Sequence, residues 1–100
     1  MDKGDAIKIA RTYLALISKK YDIKQLILFG SFAKGTNNDD SDIDIAIVID
    51  ETNNIIDIQI ELMKLRRQVD LRIEPHPFKL GDFIQNNPMV DEIQKYGITI

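Results

Sequence analysis

Apolar and polar positions follow two different periods along this chain, and the switches between them mark its elements. Ile7, Ala10, Leu14 and Ile17 recur at the spacing of one helical face, which predicts a helix over roughly 5–20. Leu26 to Phe29 is a short continuous apolar run, the pattern of a buried strand. Gly30 ends it, and Ser31 can cap the turn that follows through its hydroxyl. Phe32 to Lys34 predicts a short helical turn closed by Gly35, and 36–40 is a polar loop. Ile43, Ile45, Ile47 and Ile49 then alternate with Asp42, Asp44, Ala46 and Val48, which predicts a second strand with the isoleucines on one face.

The second half is less regular. Ile56, Ile58, Ile60 and Leu62 alternate with polar residues, so their period favours a strand, whereas the unbroken length of 54–67 favours a helix. Val69, Leu71 and Ile73 alternate with Asp70, Arg72 and Glu74, which predicts a third strand carrying the acids on its other face. Pro75-His76-Pro77 reads as a rigid loop, with the only histidine of the chain as a loop residue. Asn87, Pro88, Asp91 and Glu92 have the order of a helix start, and Gly97 is its stop. Ile98 to Ile100 is a short terminal strand. The expected organisation is one domain over 1–100.

Composition narrows the classes of function. A net charge of −3 and the absence of a long basic run argue against nonspecific nucleic-acid binding. The cluster Lys64, Arg66 and Arg67 reads as a helix end. There is no cysteine, so thiolate metal sites and disulfides are excluded. No apolar run is long enough to span a membrane and the first residues do not form a signal peptide, which makes the cytoplasm the expected location.

The candidate chemistry lies where the first two strands meet their loops. Gly30-Ser31 offers a small turn with free backbone N–H groups, suited to phosphate. Ten residues separate Ser31 from Asp42, and Asp42 and Asp44 share one face of the second strand. Two adjacent carboxylates repel, and a hard divalent cation such as Mg²⁺ relieves that repulsion. Aspartate makes up 12 of the 100 residues, so an Asp-x-Asp pair alone carries little information, and Asp40 with Asp42 forms another. The conjunction of apolar strand, Gly-Ser turn, polar loop and acids opening an Ile-rich strand is the specific signal. Asp70 completes a three-carboxylate cluster if its strand neighbours that of Asp44. Its plain alternative is an exposed residue paired with Arg72.

These residues resemble the nucleotidyltransferase superfamily of the DNA polymerase beta type. The resemblance rests on Gly30-Ser31-Phe32-Ala33-Lys34-Gly35, on Ser41-Asp42-Ile43-Asp44 and on Asp70, and it covers the chain to about Glu74. By length the chain is similar to the minimal nucleotidyltransferases, the antitoxins of HEPN/MNT toxin–antitoxin pairs. The resemblance implies an α/β (α+β) palm, a small mixed sheet of three to four strands flanked by helices, and it favours a helix over 54–67. It also implies transfer of AMP from ATP to a tyrosine of a helical HEPN-domain toxin.

On that reading Asp42 and Asp44 hold two Mg²⁺ ions, and Asp70 binds the one nearer the acceptor and can take the acceptor's proton. Gly30 and Ser31 hold the β- and γ-phosphates of ATP. Lys34 is expected to be simply solvated. The size of the chain suggests an acceptor site built at an interface, with a partner or with a second copy, and the expected assembly is a hetero-oligomer. Two alternatives stand beside it. One is a small-molecule transferase of the aminoglycoside-modifying kind, and the other is a noncatalytic antitoxin that acts by occlusion.

Overall fold

The computed structural model describes every residue except Gln85. Helix α1 (Lys3–Ile17) begins at a reciprocal cap, in which Asp2 accepts from the Asp5 N–H and Asp5 accepts from the Asp2 N–H. It is followed by β1 (Ile23–Phe29), the short helix α2 (Ser31–Lys34), β2 (Ile43–Ile49), α3 (Ile55–Leu65), β3 (Ile73–Lys79), α4 (Pro88–Tyr96) and β4 (Ile98–Thr99). Among the described residues no helix is long and apolar enough to cross a membrane.

The four strands form one mixed sheet in the order β3-β2-β1-β4. β1 pairs antiparallel with both β2 and β4, while β3 runs parallel to β2 after the α3 crossover. The sheet has an apolar layer on each side. On one side Ile43, Ile45, Ile47 and Ile49 pack with Leu26, Leu28 and buried residues of α1 and α3. On the other side Ile27, Phe29 and Ala46 lie under Ile93 of α4, with Phe78 and Phe83 beside them. That double cover is why β2 is buried along its length apart from Asp44.

Segment 54–67 is a helix for most of its length, continued by a 3-10 turn over Arg66–Gln68. As a helix it turns Ile55, Ile58, Leu62 and Leu65 to the core on one face, and the Leu62 carbonyl accepts from the buried Tyr13 hydroxyl of α1 at 2.8 Å. The buried face of α1 accordingly includes Ala6 and Tyr13 with Ala10 and Ile17, a small rotation from the expected stripe.

The third strand departs most from expectation. It starts at Ile73, not at Val69, and it runs straight through Pro75-His76-Pro77. The segment 70–73 is a turn closed by the Ile73 N–H on the Asp70 carbonyl, so Leu71 is 66% exposed instead of facing the core. The prolines are tolerated because β3 is an edge strand. The Arg72 carbonyl accepts from the Ile43 N–H, so even-numbered residues turn their backbone groups toward β2. Pro75 and Pro77 therefore have their missing N–H on the open edge, where it removes no ladder bond and discourages further strand pairing.

Candidate active site

The site forms at one end of the sheet, where β1 ends and both β2 and β3 begin. Antiparallel pairing puts Phe29 opposite Asp44, and parallel pairing puts Asp44 level with Glu74 and Ala46 level with His76. Because side chains alternate, Asp44, Glu74 and His76 stand on the same sheet face as Phe29. That face is sealed by α4 farther along, at Ala46 and Ile27, and is open at Asp44.

Gly30 is shaped by this neighbourhood in two ways. Its φ of 74° and ψ of −150° lie in a region that only glycine adopts at low cost. A Cβ there would also fall 2.3 Å from Asp44 Oδ2. The turn backbone and the carboxylate thus approach more closely than any other residue would allow. Gly30 itself is the N-cap of α2, without a side-chain cap bond, so the capping role expected of Ser31 is not taken up and Ser31 is the first helical residue. Gly35, with φ 76°, closes α2 as expected.

Asp42 is exposed and sits one residue before β2, and Asp44 is half-buried within it. His76 Nε2 lies 3.2 Å from Asp44 Oδ1, and its ring meets the Phe29 ring edge-on at 5.1 Å between centroids. His76 is therefore a site residue and not a loop residue. Sequence held one usable signal for it, since Glu74, His76 and Phe78 continue the alternation of β3 past the prolines.

Asp70 has another arrangement. It lies before β3, and its carboxylate accepts from the Arg72 backbone N–H at 2.9 Å, from Arg72 Nε at 2.9 Å and from Arg72 Nη2 at 2.7 Å. These bonds from Arg72 hold its pKa below the ordinary carboxylate value. The Arg72 pairing was the plain alternative in the sequence, whereas the strand position and the three-carboxylate cluster of Asp42, Asp44 and Asp70 are not formed. Among the described residues no three acidic or histidine side chains gather closely enough to cage an ion. Arg66 anchors the same turn, donating from Nη1 to the carbonyls of Leu71 at 3.1 Å and Ile73 at 2.9 Å.

A depressed carboxylate pKa stabilises the fold above the unfolded value and loses that contribution as pH falls through the folded value. Asp70→Asn should therefore lower the stability at neutral pH by about 1 kcal/mol, seen as a lower melting temperature, and the deficit should shrink toward about pH 3. Thermal melts at the two pH values check this. An undiminished deficit at low pH would tie Asp70 to stability through something other than its charge.

Lys34 is not simply solvated. It forms an ion pair with Glu92 and lies over the Tyr96 ring, 5.1 Å from the centroid, joining α2 to α4.

The donor set suits magnesium. Asp42 and Asp44 supply hard oxygen ligands, and the missing Cβ of Gly30 leaves room beside Asp44 Oδ2. Mg²⁺ needs only one or two carboxylates when substrate phosphates complete its shell.

A mixed sheet with a Gly-Ser turn facing an Asp-x-Asp strand defines a nucleotidyltransferase-like palm. The family model described as "Polymerase beta, Nucleotidyltransferase" matches residues 13–99, and the chain belongs to that family. It is similar to two proteins of Methanocaldococcus jannaschii that are provisionally named protein adenylyltransferases. MJ1379 is 41% identical over 46 residues, which is 46% of this chain and 46% of that protein. MJ0141 is 27% identical over 83 residues, 81% of this chain and 82% of that protein.

Proposed function

We propose that this chain transfers AMP from Mg²⁺-bound ATP to a tyrosine hydroxyl of a helical, HEPN-type partner and thereby acts as that protein's antitoxin. Family membership and the names of the two relatives support nucleotidyl transfer to a protein. The observation that carries the reading is the close approach of the Asp44 carboxylate to Gly30, which brings an acid and the start of the Gly-Ser turn to one point.

In this reading the N–H groups after Gly30 and the Ser31 hydroxyl receive the β- and γ-phosphates. Asp42 and Asp44 hold the metal. Magnesium, when bound, draws charge from the phosphate oxygens as a Lewis acid. His76 fixes the orientation of the Asp44 carboxylate through Oδ1, leaving Oδ2 toward Gly30. The acceptor oxygen bonds to the α-phosphorus, the bond to the departing pyrophosphate breaks, and a carboxylate accepts the hydroxyl proton.

Asp70 and Glu74 compete for the role of third carboxylate. Asp70 must first leave its pair with Arg72, whereas Glu74 already stands level with Asp44 and has only a 3.9 Å contact to Arg66. We therefore assign that role to Glu74. Glu74→Gln should slow transfer more than Asp70→Asn, by about tenfold or more. The reverse order would return the role to Asp70.

Intact mass spectrometry of chain and partner after incubation with ATP and Mg²⁺ tests the whole reading. A partner mass raised by one or more adenylyl groups is the expected result. Tight binding without a mass change, and equal neutralisation by Asp42→Asn, would favour occlusion instead.

A further inference from the structure

Helix α3 is apolar on two opposite faces. Ile55, Ile58, Leu62 and Leu65 pack into the core, which satisfies what a surface helix on a sheet requires. Yet Ile56 is 66% exposed and Ile60 50% exposed, and with the half-buried Met63 they form a second stripe at helical spacing. The stripe lies along a shallow groove of about 430 Å³ that also takes in Lys64 and Arg67. Nothing in the nucleotide site uses it, because α3 covers the sheet face opposite to Asp44.

We propose that this stripe is a self-association surface, on which two copies of the chain pair α3 against α3, antiparallel, about a two-fold axis at Ile60. The register follows from the residues. In an antiparallel pair, positions equidistant from the axis on either side meet, and each flank faces the same flank of the other helix. Ile56 lies four residues before Ile60 and Met63 three after it, so with Ile60 on its own copy each comes within one residue of the other. Asp57 and Lys64 are both exposed and lie two turns apart on one flank. The same axis brings each Asp57 to the other copy's Lys64. The apolar pair is centred half a residue before Ile60 and the charge pair half a residue after it, so an axis at Ile60 serves both and the helix complements itself in both respects.

Sedimentation over a concentration series tests this, with thermal melts to confirm folding. The wild-type chain should move from monomer toward dimer as concentration rises. Ile60→Glu buries two like charges at the axis and should weaken association about 30-fold or more, with the melt retained because the position is exposed. Asp57→Lys and Lys64→Glu should each weaken it about tenfold, since each places like charges opposite one another. An equimolar mixture of these two variants, or one chain carrying both changes, restores both pairs and should recover the dimer. A wild-type chain that stays monomeric throughout overturns the proposal, as does a folded Ile60→Glu variant that still associates. Dimerisation without charge rescue overturns the antiparallel register. ATP binding should be unchanged in all of these variants, so this inference and the proposed activity fail separately.

Discussion

Gly30→Ala should destabilise the fold by about 2–3 kcal/mol and abolish nucleotide transfer together. Two independent effects act at this one position. The backbone angles of 74° and −150° are strained for any residue with a Cβ, which costs on the order of 1–3 kcal/mol. The added methyl group would also lie 2.3 Å from Asp44 Oδ2. Relief requires the carboxylate to swing away, and that movement breaks its approach to His76 and to the turn. Denaturant titration and an adenylylation assay on the same preparation check both parts. A variant of normal stability and full activity would show that the turn does not hold Asp44 against the nucleotide.

Asp44→Asn should separate chemistry from stability. Asparagine keeps the shape of the side chain and an oxygen that can accept from His76, so stability without metal should change by no more than about 0.5 kcal/mol. The lost charge removes a metal ligand at the centre of the site. Transfer should fall by about a thousandfold or more, equivalent to about 4 kcal/mol in the transition state. Binding of Mn²⁺ as a spectroscopic substitute for Mg²⁺ should weaken in parallel, which gives a readout apart from turnover. Retention of both activity and ion binding would remove Asp44 from the metal site.

The sequence carried much of this architecture because many of its signals are local. The run Leu26 to Phe29, the isoleucine alternation of β2, the Asn87-Pro88 start and Gly97 end of α4, and the Gly35 stop of α2 each depend on residues within a turn or a strand of one another. The family resemblance rested on the same kind of feature, a Gly-Ser turn and an Asp-x-Asp pair at fixed spacing, and the family match agrees with it. Even the Asp70–Arg72 pair was legible as a two-residue neighbour contact.

The tertiary structure decided what stands beside Asp44. Alternation in Val69 to Glu74 fits a strand, but it says nothing about where pairing begins, and the Arg66 clasp on Leu71 and Ile73 turns the chain there. The parallel register with β2 then makes Glu74 and His76 the neighbours of Asp44 and Ala46. Proline misled the reading of His76 for the same reason. A proline forbids a central strand but not an edge strand, and edge position is a property of the assembled sheet. Local periodicity fixes which face a residue takes within its own element. Only the pairing of elements distant in sequence fixes which residues share a site, and here that pairing brings β1, β2 and β3 together around one carboxylate.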